Sequence, residues 1–180
     1  MKQLSQPNAA WLDDDGRADP WLRGRLAESE GRLGYLRAVA ALGGARLLLP
    51  IVASGDESMD RPDPDRHAEM AAVTLDHPEL GRALVAFSGM DALLAWNRAA
   101  RPVPCTLDDL AATVAEAGAT LLVIDPAGPH PVTVLDDVVT ELARGRRLVE
   151  LDDGTFGWAF VETDNGAART GTADSANSRP

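Results

Sequence analysis

The stretch Ala83–Pro104, ALVAFSGMDALLAWNRAARPVP, decides the fold class, because it changes period in the space of a few residues. Ala83 to Phe87 is a short apolar run of strand length, with Val85 and Phe87 on one side and Leu84 and Ala86 on the other, so it predicts a strand covered on both faces. Ser88 follows as the expected N-cap, with Asp91 three residues on in the arrangement of a capping box. Met90, Leu93, Leu94 and Asn97 then fall three and four apart and predict a short helix flanked by Trp96. Pro102 and Pro104 stop that helix and force an extended exit over Arg101–Pro104.

On the N-terminal side, Met70–Leu75 predicts a strand that turns back through Asp76–Gly81 to lie antiparallel to the central one. Leu47–Val52 predicts an earlier strand, peripheral because Pro50, which cannot donate to a ladder, suggests an edge position or a bulge. Before it, Asp19 and Pro20 open a helical rhythm through Leu22, Leu26, Leu33, Leu36 and Val39. Gly31 and Gly34 break that rhythm into two helices or one kinked helix. Between these strands Ser54–His67 is a charged, proline-containing loop.

On the C-terminal side, Thr106 and Asp109 form a second capping box, and Leu107, Leu110, Ala111 and Val114 line an amphipathic helix closed by Gly118. Leu121–Ile124 is near-continuously apolar, as for a strand buried on both faces at the centre of a sheet. Two helices separate it from the central strand, so a parallel pair joined by a right-handed crossover is expected. Val132–Leu135 is extended, and Asp136 is expected to cap a last helix through Val138, Val139 and Leu142 that ends at Gly145.

Asp153-Gly154 reads as a two-residue hairpin turn between Val149–Asp152 and Thr155–Trp158. That register pairs Leu151 with Phe156 and Val149 with Trp158 and makes one face apolar. This face either closes the chain's own core, the blander reading, or docks a partner.

The fold expected is therefore α/β (α+β): a mixed sheet flanked by helices, with a C-terminal hairpin. The chain should divide into a flexible lead-in over 1–18, an α/β domain over 19–146, a hairpin over 147–162 packed on that domain, and a disordered tail over 163–180.

The order of these pieces resembles a known family. The run Leu84 to Ser88, the helix ending at Trp96, then Ala100 to Pro104, and later Leu122–Pro126 (LVIDP) with Gly128, are similar to the N-terminal domain of the SseB family in its actinobacterial form. The resemblance spans roughly residues 38–145. Where such proteins tend to carry a Lys before the second strand, this chain has Arg66 and Glu69. Asn97 and Cys105 stand where acidic and aliphatic residues are common. The resemblance implies an α/β domain without established catalytic residues, loosely linked to serine sensitivity in enterobacteria.

Composition narrows the functions open to the chain. A formal net charge of −11 over 180 residues, with pI near 4.6, opposes binding to nucleic acid and to anionic membranes. No apolar run approaches membrane-spanning length and no leader is evident, so a cytoplasmic location is expected. The single cysteine, Cys105, excludes an internal disulfide and reads as a buried, inert thiol. Asp60, Asp63, Asp65 and His67 are hard ligands in one loop. They lack the glycine and terminal glutamate of a calcium loop, so a solvated loop is expected and no metal or other cofactor.

Two constellations remain as candidate binding sites. Arg101 is placed to stack on Trp96, against the plainer reading in which Trp96 caps the core. Ser88 and Gly89 end one strand where Asp125 ends its parallel neighbour, the edge at which open α/β sheets hold ligands and where a helix N-terminus would favour an anion. Against this, Ser88 is expected to cap and Asp125 to form a turn. The two constellations are open to being one site.

No nucleophile or base has a local activating partner, so catalysis is not expected. The expected function is a non-catalytic interaction module that binds another protein through Phe156 and Trp158 of the hairpin or through the surface around Trp96 and Arg101. The alternative is a ligand-binding or enzymatic protein that uses the Ser88, Arg101 and Asp125 edge for a small anionic metabolite.

Overall fold

The computed structural model describes Trp11 and residues 14–53, 70–77 and 80–160. The acidic loop and the C-terminal tail anticipated from the sequence lie outside these residues, as do residues 1–10 of the lead-in. Helices α1 (Pro20–Ala27) and α2 (Gly31–Gly43) precede strands β1 (Leu47–Ala53), β2 (Met70–Ala72), β3 (Thr74–His77) and β4 (Gly81–Ala86). Then come α3 (Met90–Trp96), β5 (Arg101–Cys105), α4 (Leu107–Glu116), β6 (Leu121–Ile124), β7 (Val132–Val134) and α5 (Asp136–Ala143). A hairpin of β8 (Arg146–Glu150) and β9 (Phe156–Phe160) completes the order. The fold is thus α+β, with mixed sheets flanked by helices. No helix among the described residues is long and apolar enough to cross a membrane.

β4 joins the layers, and its alternation is the reason. Leu84 and Ala86 enter the main core with residues of α1, α2, α4 and α5, while Val85 and Phe87 enter a second cluster with Leu48, Leu93 and Ala100. Ala83, Leu84, Val85, Ala86 and Phe87 are all essentially inaccessible, as expected of a two-sided strand. Burial of Leu84, Val85 and Phe87 contributes roughly 2 kcal/mol each.

Beside β4, β6 runs parallel, with Leu84 opposite Leu122 and Ala86 opposite Ile124, and β3 runs antiparallel, with Thr74 opposite Leu84. β7 closes that sheet in the order β3-β4-β6-β7. A second sheet, β2-β1-β5, meets the first where Leu48 and Phe87 exchange both backbone hydrogen bonds, at 2.8 and 2.9 Å.

β1 is therefore central to its sheet, not peripheral. Pro50 is tolerated there because Leu48 turns its amide toward Phe87, and a period of two points the ring nitrogen of Pro50 the same way, between the Phe87 bridge and the β2 ladder. On the other side of β1, Pro50 lies opposite Pro102 and Leu48 opposite Pro104. These are the pairs that exchange no hydrogen bonds, so both prolines of β5 face their missing donors outward on an edge strand.

Several local expectations hold. Thr106 and Asp109 form the full capping box, and Gly118 closes α4 at φ +66°. The last helix differs slightly, since Leu135 is its N-cap and Asp136 its first residue. The lead-in also begins its fold role earlier than Asp19. Asp14 pairs with Arg46 at 2.8 Å, with both side chains largely shielded, and the Gly16 carbonyl accepts from Met90 N–H at 2.8 Å.

The hairpin forms in a different register. Leu148 faces Trp158 and Glu150 faces Phe156, one residue away from the pairing expected. The turn is longer than two residues: Gly154 at φ +78° donates to the Leu151 carbonyl, and Leu151 donates to the Thr155 carbonyl. That is a tight turn followed by a glycine bulge. The slip exchanges partners on β8, so Arg146, Leu148 and Glu150 share a face with Phe156, Trp158 and Phe160. Arg37 of α2 grips Glu150 at 2.8 Å and holds its carboxyl below the usual range, and Arg147 pairs with Asp108 of α4.

Cys105 lies under α4 with its thiol aimed at the Leu47 carbonyl, and burial pushes its pKa up to about 12. It should resist iodoacetamide at about pH 8 in the native protein and react only on unfolding. Because the thiol ionises more readily in the unfolded chain, stability should decline as pH rises from 9 toward 12. The Cys105→Ala variant should show a shallower decline, and an identical one would show that this thiol is not the cause.

Candidate functional site

The parallel pairing of β4 and β6 brings Ser88 and Asp125 to one sheet edge, as the sequence implies. Ser88 is 1% exposed and Asp125 4%. Ser88 N–H donates to Asp125 Oδ1 at 2.9 Å and its hydroxyl donates to Asp125 Oδ2 at 2.6 Å. Asp125 adopts φ +51° and its carbonyl accepts from Gly128 N–H at 2.8 Å, so a turn over Asp125–Gly128 aims the carboxylate back across the strands. A left-handed aspartate stores some strain, and here the two bonds from Ser88 hold it.

Ser88 is therefore not the N-cap of α3. Gly89 takes that position, with extended backbone and no side-chain cap. A Cβ at Gly89 would lie 2.7 Å from Ala18 Cβ and 2.8 Å from Asp91 Oδ1, so close approach of the lead-in is what requires glycine. Asp125, in turn, accepts from a residue on the neighbouring strand rather than only from local amides.

The cation at this edge is Arg23 of α1, not Arg101. Arg23 Nε donates to Ser88 Oγ at 2.5 Å and lies 3.7 Å from Asp125 Oδ2, while one terminal nitrogen donates to Asp91 Oδ1 at 2.8 Å. Nothing in the sequence singles out Arg23. It borders the Leu22 and Leu26 stripe of α1, and only the burial of that stripe in the main core brings it to these partners. Arg101 lies exposed on β5 opposite Ile51 and makes no ion pair among the described residues. Trp96 packs its ring 5.5 Å from Phe87 in the second cluster, so the Trp96–Arg101 stack is not formed. Among the described residues the guanidinium-over-ring contacts are Arg25 with Trp21 and Arg146 with Phe160.

Above the Asp125 turn lies a cleft of about 320 Å³. Leu26, Ala92, Ala95 and Pro129 form its apolar walls, and Arg23, Asp91, Asp125 and His130 supply polar groups. His130, set between two prolines in the sequence, joins the site only through the turn after β6.

The cleft is more than the bare helix start anticipated as an anion site. Met90 N–H is already bonded to Gly16, Asp91 adds a carboxylate to the first turn of α3, and two carboxylates flank the one guanidinium. Ser88 is enclosed at 1% exposure, its hydroxyl donating to Asp125 and accepting from Arg23.

A mixed sheet with a cleft at the ends of its parallel strands, flanked by helices, is an α+β domain. The model of the SseB protein N-terminal domain matches residues 23–141, and the chain belongs to the SseB family. Arg23, Ser88, Asp91 and Asp125 fall inside the matched residues, and the hairpin falls beyond them. No curated protein and no solved structure matches the chain.

Replacing Asp125 with Ala leaves the Ser88 amide and hydroxyl buried without their acceptor and removes the charge facing Arg23. The expected loss is about 3 kcal/mol by urea unfolding. Ser88→Ala should lose less, since the amide bond to Asp125 survives. Equal losses below about 1 kcal/mol would show that the lock adds little to stability.

Proposed function

We propose that this chain is a non-catalytic interaction module that binds another protein through the aromatic face of its C-terminal hairpin. The observation that carries this reading is the overhang of β9. Leu148 of β8 is buried and Phe156 is half-buried against the main core, but on the same face Trp158 is 38% exposed and Phe160 73% exposed. Exposed aromatics that are contiguous on a strand favour docking, because each offers a large apolar area at small conformational cost. The net charge of −11 favours a protein partner over nucleic acid, and the cytoplasm is the compartment this reading assigns.

The engagement of Ser88 by Asp125 and Arg23 supports a non-catalytic role. The packing of Trp96 on Phe87 supports the hairpin over the surface around Trp96 and Arg101 as the docking face.

The hairpin reading separates Phe156 from its neighbours. Phe156→Ser should lower Tm by several degrees, whereas Trp158→Ser with Phe160→Ser should leave Tm within about 2 °C of wild type and abolish association. A large fall in Tm for the second variant would place those rings in the core and end this reading.

A second reading, favoured by the 320 Å³ cleft, is binding of a small polar metabolite between Arg23, Asp91 and His130. A ligand there should raise Tm in proportion to the logarithm of its concentration, and Ala95→Phe, which fills the cleft, should remove the effect. Amine, carboxylate and zwitterion panels that all leave Tm unchanged would sink it.

A further inference from the structure

The sequence of β9 is symmetric in pattern about its own centre. Phe156-Gly157-Trp158-Ala159-Phe160 reads aromatic, small, aromatic, small, aromatic in either direction. One edge of this strand pairs with β8, and among the described residues no strand pairs with the other.

The hydrogen bonds fix what that open edge presents. The Thr155 carbonyl accepts from Leu151 N–H, so with a period of two the backbone polar groups of Gly157 and Ala159 also turn toward β8. The N–H and C=O groups of Phe156, Trp158 and Phe160 therefore point outward. β5, an edge strand of the other sheet, carries Pro102 and Pro104 with their missing donors facing out. β9 has no proline and no charge, so nothing in its own sequence blunts its edge.

We propose that a second copy of this chain docks on this edge, β9 against β9, antiparallel about a two-fold axis through Trp158. The inference rests on the hairpin being a docking surface and names its partner. In this register Trp158 meets Trp158 of the second copy, Phe156 meets its Phe160, and Gly157 meets its Ala159. All three outward-facing residues fall at the pairs that exchange two hydrogen bonds, and small residues oppose small ones on the other face. The two hairpins become one four-stranded sheet, past the point at which strands stop being marginal.

The chain's own C-terminal residues are poor candidates for the same place, because residues 161–180 contain one large apolar side chain, Val161. Each copy carries a charge of −11, so the copies repel at long range and the dimer strengthens with added salt.

Sedimentation equilibrium of the full chain tests this, over about 1 to 500 µM at low and high salt. The apparent mass should rise from 19.0 kDa toward twice that value as concentration increases. Trp158→Lys and Trp158→Glu each place like charges on the two-fold axis and should weaken the dimer about 100-fold or more. An equimolar mixture of the two variants should restore it as a heterodimer, since residue 158 then meets its opposite charge.

Wild type that stays at 19.0 kDa at every concentration overturns the proposal, as does a dimer that survives in both single variants or a mixture that fails to recover it. Matched Tm values for the variants separate dissociation from unfolding. If the chain is monomeric while the Trp158→Ser, Phe160→Ser variant keeps its Tm and loses a captured protein, the self-pairing fails and the docking surface stands. If that variant loses its Tm, the docking surface itself fails.

Discussion

Burial of β4 on both faces is the constraint on which the other elements depend. Leu84 and Ala86 pull α1, α2, α4 and α5 to one side of the sheet, and Val85 and Phe87 pull α3 and Trp96 to the other. A strand with no solvent face must have neighbours along both edges, and it finds β3 and β6, with β1 reached at Phe87. The parallel neighbour follows from the chain leaving by α3, β5 and α4 and returning as β6. Once those strands run the same way, their ends share an edge, and the cleft lies there.

The edge is held by charge and hydrogen bonding rather than by packing alone. Asp125 sits in a left-handed conformation that costs energy, and the backbone and hydroxyl of Ser88 fix its carboxylate across the strand pair. Arg23 ties α1 to the same point, and the lead-in from Asp14 to Ala18 crosses above it, held by Arg46. The lead-in with α1, Arg46, Ser88 and Asp125, distant from one another in sequence, thus converge on one small polar cluster. Such a cluster specifies how the segments dock, because any other docking leaves a buried carboxylate or amide unpaired. The Ser88 hydroxyl is enclosed at this point, donating to Asp125 and accepting from Arg23.

The hairpin follows different rules. It joins neither of the other sheets, is anchored through Leu148, through Arg37 with Glu150 and through Arg147 with Asp108, and leaves the far end of β9 outside helical cover. Its outer edge has none of the protection that prolines give β5. Among the described residues one part is therefore closed on itself and another open, and the open part is where we propose association.

The sequence alone determined the elements whose signals are local. The alternation in Ala83–Phe87, the capping box of Thr106 and Asp109, the glycine stop at Gly118 and the apolar run at Leu121–Ile124 are consequences of neighbours in the chain, and all appear where expected. The family was legible for the same reason, since it rests on the order of such pieces. Tertiary structure decided what depends on groups distant in sequence. Ser88 reads as a cap until Asp125 is brought within 2.6 Å, and Arg23 is an unremarkable helix residue until burial of the α1 stripe in the main core brings it to its partners. Pro50 looks like an edge signal because sequence cannot reveal that its missing donor faces a gap between two partners. The register of the hairpin turned on a bulge at Gly154, which hydrogen bonds across the turn distinguish from the two-residue turn that an Asp-Gly pair equally suits.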